Sequence, residues 1–240
     1  MPRTAVRVAV MFVGIQTRRH RRLLWATPLL FATLWVAYIV SAMRAPAGRI
    51  ATALDWGVLT GGLDSVPAWQ AAMVDGSVLR LVSGLFLHAD WIHLLGNLVF
   101  LLIFGLPAER TMGGRRFLLL FLLGGAVANL AAVLAIGAPD RVIIGASGAV
   151  SAVIGAYLAL FPNAKLGVVL PLGLFLEFVK APASLLIGIW ALLQVIFAYI
   201  GPAFGAVAWS AHIAGFLFGI VFALFVRAAI ARRLRKRQGY

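Results

Sequence analysis

The chain has 240 residues, of which 63% are hydrophobic and only 12% are charged, and its formal net charge is +14. An ordinary soluble domain is about a quarter charged, so this composition excludes one and indicates apolar stretches that cross a lipid bilayer. The sequence contains no cysteine, which excludes a disulfide framework, a thiol nucleophile and a cysteine-ligated metal site.

Five uncharged runs mark the predicted membrane spans. They cover residues 23–43, 91–108, 117–139, 142–164 and 181–226. Each of the first four has the length of one helix that crosses the hydrocarbon core. The fifth is twice as long, and Gly201-Pro202 near its middle is a helix-breaking pair, so it predicts two spans. The predicted fold is therefore an all-α polytopic membrane protein, a bundle of six transmembrane helices.

The predicted organisation has three parts: a basic tail at residues 1–22, the six-span core at 23–226, and a second basic tail at 227–240. The core includes a first outer loop, residues 44–90, which is rich in apolar residues. We expect this loop to lie on the outer leaflet of the membrane rather than to form a soluble domain. The uncharged run 166–176 is too short to cross a bilayer and predicts an interfacial or re-entrant segment.

The distribution of charge predicts the orientation. If both termini are cytoplasmic, 17 of the 21 Lys and Arg residues fall in inner segments and four fall outside, as the positive-inside rule requires. The net charge then reflects topology and contact with anionic lipids of the inner leaflet, and we expect no nucleic-acid partner. The expected location is a membrane, the plasma membrane by preference, with both termini in the cytoplasm.

Polar residues inside predicted spans are costly and are candidates for function by default. His93 and Asn97 lie in span two, Ser147 in span four and His212 in span six. These three spans all enter from the outer face, and at 1.5 Å of rise per residue the four side chains lie within roughly 15 Å of it. We therefore expect them to form one layer.

Ser147 has the surroundings of a nucleophile. Its neighbours Gly145, Ala146 and Gly148 are small, and it lies in the first turn of span four, where unpaired N–H groups and the helix dipole favour a developing negative charge. A serine nucleophile needs a base, and His212 is the candidate if spans four and six touch. Stripes of small residues predict that contact. The stripes consist of Ser147, Ser151, Gly155 and Ala159 on span four, and of Ala211, Gly215, Gly219 and Ala223 on span six.

His93 and Asn97 stand one turn apart on one face of span two and offer two side-chain donors. Aimed at a tetrahedral intermediate together with the Ser147 N–H, they would form an oxyanion hole. No Asp or Glu lies at that depth to orient His212, so the sequence predicts a dyad rather than a triad.

Each of these residues, taken singly, has a structural explanation. A buried serine usually bonds the carbonyl four residues earlier in its own helix, and a lone polar residue in a membrane helix often serves only to hold helices together. We interpret three other polar residues as helix-packing residues on that basis: Asn129, Gln194 and Ser210. The catalytic hypothesis depends on the joint occurrence of the candidates.

The combined motifs resemble the rhomboid family of intramembrane serine proteases. The matching pieces are His88-x4-His93-x3-Asn97 in span two, Gly145-x-Ser147-Gly148 opening span four, and Ala211-His212-x2-Gly215-x3-Gly219 in span six. Arg80 and Glu109 also fall where the family has its loop-one arginine and the glutamate that follows span two. The resemblance covers roughly residues 75–226.

The resemblance implies an endopeptidase that cleaves a peptide bond in or beside a transmembrane segment of a membrane-protein substrate, near the outer face and without a metal or cofactor. Ser147 would be the nucleophile and His212 the general base, while His93, Asn97 and the Ser147 amide would hold the oxyanion. The supporting residues would be His88, Arg80, Glu109, Gly145, Gly148, Gly215 and Gly219. In the family, substrate enters past span five and the loop that caps the site, here residues 201–209.

Two positions depart from the family pattern. Leu79 stands where the family has a tryptophan before its loop-one arginine, and Ser151 stands where an aromatic residue commonly stacks on the catalytic histidine. The main alternative is a catalytically inactive rhomboid-like protein that binds or escorts membrane clients, a class usually marked by loss of the serine or histidine. A small transporter or channel is disfavoured because the first five spans carry no charge at mid-membrane.

Overall fold

The structure, a computed structural model, describes residues 23–60, 63, 65–136, 141–172, 175–200 and 208–238. The predicted tail at 1–22 and most of the loop at 201–209 lie outside these residues. In the described ranges the helices are α1 (Ala26–Ala42), α2 (Pro46–Trp56), α3 (Val66–Val74), α4 (Arg80–Ser83), α5 (Trp91–Phe100), α6 (Leu106–Met112), α7 (Gly114–Ala135), α8 (Ser147–Leu160), α9 (Ala183–Ile200) and α10 (Trp209–Gln238).

The described residues form a polytopic helical membrane bundle. A π-helical turn, Leu101–Gly105, joins α5 to α6, so that Trp91–Met112 is one continuous helix. It is long and apolar enough to cross a membrane, as are α7, α9 and residues Trp209–Arg232 of α10. Helices α1 and α8 are apolar but shorter, with 17 and 14 residues, and the count of six spans stays a prediction.

The predicted fourth span begins later than expected. Residues Val142–Ile143 form a short strand, β2, that pairs antiparallel with β1, Val58–Leu59, in the first outer loop. Gly145 follows at φ +119°, in a region of backbone space that glycine enters without steric cost. Helix α8 starts only at Ser147, because β-branched residues favour the strand and Gly145 turns the chain into the helix.

The segment predicted to be interfacial is part of a β-hairpin. Strands β3 (Lys165–Leu172) and β4 (Phe175–Pro182) pair antiparallel, with Lys165 opposite Pro182 and Leu172 opposite Phe175. With β1 and β2, this hairpin makes the all-α prediction incomplete. The physical reason is that a run of eleven residues is too short for a spanning helix, whereas two such short segments can pair as strands, which satisfies the backbone N–H and C=O groups that face each other.

The first outer loop is held against the bundle by backbone and side-chain hydrogen bonds. Within the loop, the Arg80 guanidinium donates to the carbonyl of Leu54 near the end of α2 (3.1 Å), whereas Asn129 on α7 donates across to the carbonyl of Leu81 in the loop (2.9 Å). Asn129 therefore ties a loop helix to a spanning helix. The loop consists largely of short helices, and the strand pairing of β1 with β2 adds a second attachment.

Glu109 holds the beginning of α1. Its carboxylate accepts hydrogen bonds from the backbone N–H groups of Trp25, Ala26 and Thr27, at 2.9, 2.9 and 2.8 Å. These N–H groups have no partner within their own helix, and a negative charge is favourable at a helix N-terminus. The glutamate is 2% exposed, so it joins the start of α1 to α6 inside the protein.

Helix α8 lies at the centre of the bundle, in contact with α7 and α10. Its residues 148–157 are all buried, which leaves no face for lipid or water.

Helix α10 continues to Gln238. The basic segment predicted as a tail from residue 227 is therefore a continuation of the last helix as far as the structure describes it.

Helices α8 and α10 touch backbone to backbone. A Cβ atom added at Gly215 would overlap the carbonyl oxygen of Gly148, and one added at Gly219 would overlap that of Ala152. The small-residue stripe predicted on α10 therefore lies in the contact. On α8 the residues that contact these glycines, Gly148 and Ala152, are offset by one position from the predicted stripe. Gly155 belongs to the predicted stripe and also lies in the contact, because a Cβ there would overlap the carbonyl oxygen of Phe216.

We expect Gly219→Ala to lower the free energy of unfolding by about 1–3 kcal/mol, because the added methyl group must displace the α8 backbone. Gly188→Ala on α9 is the matched control, since nothing lies within 4 Å of its Cβ position. Thermal unfolding in detergent, followed by circular dichroism, measures both variants. A Gly219→Ala protein that unfolds at the same temperature as Gly188→Ala would contradict the direct backbone contact.

Candidate active site

Ser147 is the first residue of α8, and Gly145 two residues earlier shapes its approach. The side chain is partly exposed, while Ala146 and Gly148 on either side are buried. The first N–H groups of a helix have no partner within it, so the Ser147 amide lies where a developing negative charge can be bound. The local sequence thus presents one hydroxyl at a helix N-terminus among residues too small to cover it.

His212 on α10 reaches this hydroxyl. Its Nε2 lies 2.8 Å from the Ser147 Oγ, a hydrogen-bond distance for a hydroxyl and an imidazole. The contact follows from the close crossing of α8 and α10, which brings side chains 65 positions apart in the sequence together. A neutral imidazole at this distance can take the hydroxyl proton, which is the arrangement of a serine nucleophile and its general base.

The other ring nitrogen of His212 has a partner that we did not predict. The Gln194 side chain on α9 places its Oε1 2.7 Å from His212 Nδ1, although the sequence indicated only a helix-packing role for it. Trp209 adds a perpendicular edge contact to the imidazole, with ring centroids 5.7 Å apart. Gln194 is buried, at 7% exposure.

Gln194 and His212 lie at similar depths in their helices. Gln194 lies six residues before the end of α9 and His212 three residues after the start of α10. At 1.5 Å per residue, these positions are about 9 and about 5 Å from consecutive helix ends. Gln194 therefore lies in the same layer as the four candidates. The direction in which its side chain points is known only from the structure.

His93 and Asn97 are brought to the same end of α8. Asp90 caps α5 by accepting from the His93 backbone N–H (2.8 Å). The His93 ring lies so close to Gly145 that a Cβ there would come within 2.6 Å of its Cε1. Asn97, one turn further along α5, points to His88, with 3.0 Å between its Nδ2 and the His88 Nε2.

His88 links the oxyanion candidates to the serine loop. Its Nε2 also receives the backbone N–H of Ala146, at 3.5 Å, and its ring lies 5.1 Å from that of His93, edge to face. Burial, and to a smaller extent the His93 imidazole, lower the pKa of His88 to about 4. The ring is therefore neutral near physiological pH and accepts from Asn97, which keeps a second amide hydrogen for another partner.

The remaining predicted residues have structural contacts. Ser151 donates to the carbonyl of Ser147 in its own helix (2.7 Å), so it gives His212 no stacking surface. Leu79, which replaces the family tryptophan, is 69% exposed. Arg80 and Glu109 make the loop and α1 contacts described above. Within the described residues, no group of three or more His, Asp or Glu side chains is placed to hold a metal ion.

Comparison with known proteins gives a consistent family. A family model described as Rhomboid domain matches residues 75–229. YdcA of Bacillus subtilis (strain 168), provisionally named a rhomboid protease, is 35% identical over 107 residues, which cover 43% of this chain and 53% of YdcA. Rhomboid-like protease 3 of Toxoplasma gondii is 37% identical over 92 residues, which cover 38% of this chain and 34% of that protein.

Rhomboid-related protein 2 of Mus musculus is 33% identical over 104 residues, which cover 43% of this chain and 32% of that protein. The matched stretches thus span about half the length of the bacterial relative and about a third of the two others. What these relatives do as whole proteins is therefore a guide to a proposal for this chain.

The low pKa of His88 predicts that acid destabilises the fold. A histidine with a pKa of about 4 when folded and 6.5 when unfolded binds its proton more weakly in the folded state. The free energy of unfolding therefore falls as the pH drops below about 6.5, by roughly 3 kcal/mol once the pH reaches 4. We expect His88→Gln to lose less thermal stability than the wild type between pH 7.5 and pH 5 in detergent. An equal loss in both proteins would contradict a buried neutral His88.

Proposed function

The chain belongs to the rhomboid family, and on that premise we propose that it is an intramembrane serine endopeptidase. It hydrolyses a peptide bond in or next to a transmembrane segment of a membrane-protein substrate. The observation that carries this proposal is the 2.8 Å contact between His212 Nε2 and Ser147 Oγ. Family membership alone also fits an inactive rhomboid-like protein, but the pair gives this chain a nucleophile with its base in reach.

The chemistry proceeds in two halves. His212 Nε2 takes the Ser147 proton as Oγ attacks the scissile carbonyl carbon, which forms a tetrahedral intermediate with a negative oxygen. The imidazolium then gives its proton to the leaving amine nitrogen, the C–N bond breaks, and an acyl-serine remains. In the second half, His212 deprotonates a water molecule that attacks the acyl carbon, and the proton returns to Ser147 as the acid product leaves.

The negative oxygen needs donors while it exists. The Ser147 N–H at the start of α8 is one, and His93 and the free amide hydrogen of Asn97 are the two side-chain candidates. His88 supports Asn97 by accepting its other amide hydrogen. The contact of His93 with Gly145 supports its part in this proposal, because Gly145 is only two positions before the nucleophile in the sequence.

The same proposal gives the protein a location and partners. We place it in the plasma membrane, and the charge distribution of the sequence favours cytoplasmic termini and a dyad near the outer face. Its substrates are then proteins whose transmembrane segments reach this layer from within the bilayer. The basic ends of the chain contact anionic lipids of the inner leaflet.

Cleavage of a test substrate with one transmembrane segment, in liposomes containing the purified protein, checks the dyad. We expect Ser147→Ala and His212→Ala each to abolish cleavage, because the nucleophile or its base is lost. Ser151→Ala is the matched control, since this serine lies one turn away and bonds only its own helix; it should keep most of the activity. Wild-type activity in Ser147→Ala would refute the proposed protease.

The oxyanion assignment has a separate test. His93→Ala and Asn97→Ala should each lower kcat by roughly one to three orders of magnitude and leave KM nearly unchanged, which is the effect of losing a donor that acts on the transition state. Gly96→Ala on the same helix is the control, because nothing lies within 4 Å of its Cβ position. If kcat is unchanged in both the His93 and the Asn97 variants, the assignment is wrong.

A further inference from the structure

Gln194 is a buried polar residue on an apolar helix. Among the residues of α9, Ala183, Ile187 and Gln194 are buried, and much of the rest is exposed apolar surface. Burying an amide in an apolar medium is costly unless both its oxygen and its nitrogen find partners. The two partners of Gln194 are therefore informative about what the residue does.

The amide can be oriented from its contacts. Gln194 Nε2 lies 3.3 Å from the carbonyl oxygen of Trp190, one turn earlier in α9. A carbonyl only accepts and an amide NH2 only donates, so the nitrogen must face Trp190. The oxygen then faces His212, 2.7 Å from its Nδ1. The opposite orientation would set two acceptors against each other at Trp190.

The orientation of the amide determines the tautomer of His212. Because Gln194 Oε1 only accepts, a neutral His212 must carry its hydrogen on Nδ1 to make this bond. Its Nε2 then has a free lone pair, and that is the atom 2.8 Å from the Ser147 hydroxyl. The other tautomer would place a hydrogen on Nε2 and leave the ring unable to accept the serine proton.

We infer that Gln194 is a positioning residue that holds His212 in the tautomer able to deprotonate Ser147, an inference that rests on the proposed protease function. The site is then a chain of hydrogen bonds through three side chains from three helices. Its third member, after Ser147 and His212, is the neutral amide of Gln194. When His212 takes the proton on Nε2, its Nδ1–H stays on the amide oxygen, and no proton passes to Gln194.

This role also accounts for the serine at position 151. The hydroxyl of Ser151 turns back to the Ser147 carbonyl, so the ring of His212 has no stacking partner on α8. Instead, Gln194 makes a hydrogen bond to one ring nitrogen, and Trp209 makes a perpendicular ring-to-ring contact with the imidazole. One contact from α9 and one from α10 itself therefore orient the imidazole.

The test compares three variants by the rate at which a fluorophosphonate labels Ser147, which requires no substrate. Gln194→Met keeps the length and replaces the amide oxygen with a thioether, which is only a weak acceptor, and we expect labelling to be about tenfold to a hundredfold slower. Gln194→Glu keeps an acceptor oxygen for His212 and, as the protonated acid, a donor for the Trp190 carbonyl, so it should label within a few-fold of the wild type. Ile187→Ala perturbs the packing of α9 two turns away and should label at the wild-type rate.

A second readout reports the tautomer directly. In protein with ¹⁵N-labelled histidine rings, the His212 signals, assigned by their loss in His212→Ala, should show hydrogen on Nδ1 in the wild type and in Gln194→Glu. Gln194→Met should show a mixture of both tautomers. This spectrum decides the positioning role even in a protein that does not react with the probe.

The outcomes separate the two ideas. Wild-type protein that is not labelled at Ser147 contradicts the proposed function. Labelling of Gln194→Met at the wild-type rate, or slowing of Ile187→Ala as severe as that of Gln194→Met, overturns the inference while the proposed function stands. A His212 with its hydrogen on Nε2 in the wild type overturns the inference as well.

Discussion

The direct contact between the backbones of α8 and α10 is the constraint on which the site depends. In lipid, helices gain little hydrophobic free energy by associating, so close packing of small residues is a principal source of their attraction. Gly219 against the Ala152 carbonyl leaves no room for a side chain between the two helices. The same approach brings His212 to within 2.8 Å of Ser147, because longer side chains at the crossing would hold the helices apart.

A second constraint is that buried polar groups must find partners where water is scarce. Glu109 satisfies three N–H groups at the start of α1, and Asn129 satisfies the Leu81 carbonyl of the outer loop. The amide nitrogen of Gln194 is satisfied by a carbonyl of its own helix, and the amide oxygen is satisfied by His212. In each case a polar side chain joins two different elements of the fold, so the polar residues of the spans organise the bundle as well as its chemistry.

Local patterns in the sequence are sufficient for much of this architecture. Uncharged runs indicate the apolar helices, and the spacing of small residues indicates the α10 face. The sequence reveals how deep a residue lies but not how its helix is rotated, so it indicates only a packing role for Gln194, and it predicts Gly155 in the α8 contact but not Gly148 and Ala152. The pairing of Val58–Leu59 with Val142–Ile143 joins segments far apart in the chain, and two-residue strands leave no period to detect.

The proposed chemistry depends on Ser147 being a nucleophile that His212 activates. Mapping the adduct of a fluorophosphonate by mass spectrometry on the intact membrane protein tests it most directly, since this needs no knowledge of the substrate. We expect an adduct on the peptide containing Ser147 and on no other serine, and its loss in His212→Ala. An unmodified Ser147 in the wild type, or equal modification when His212 is replaced, would contradict it.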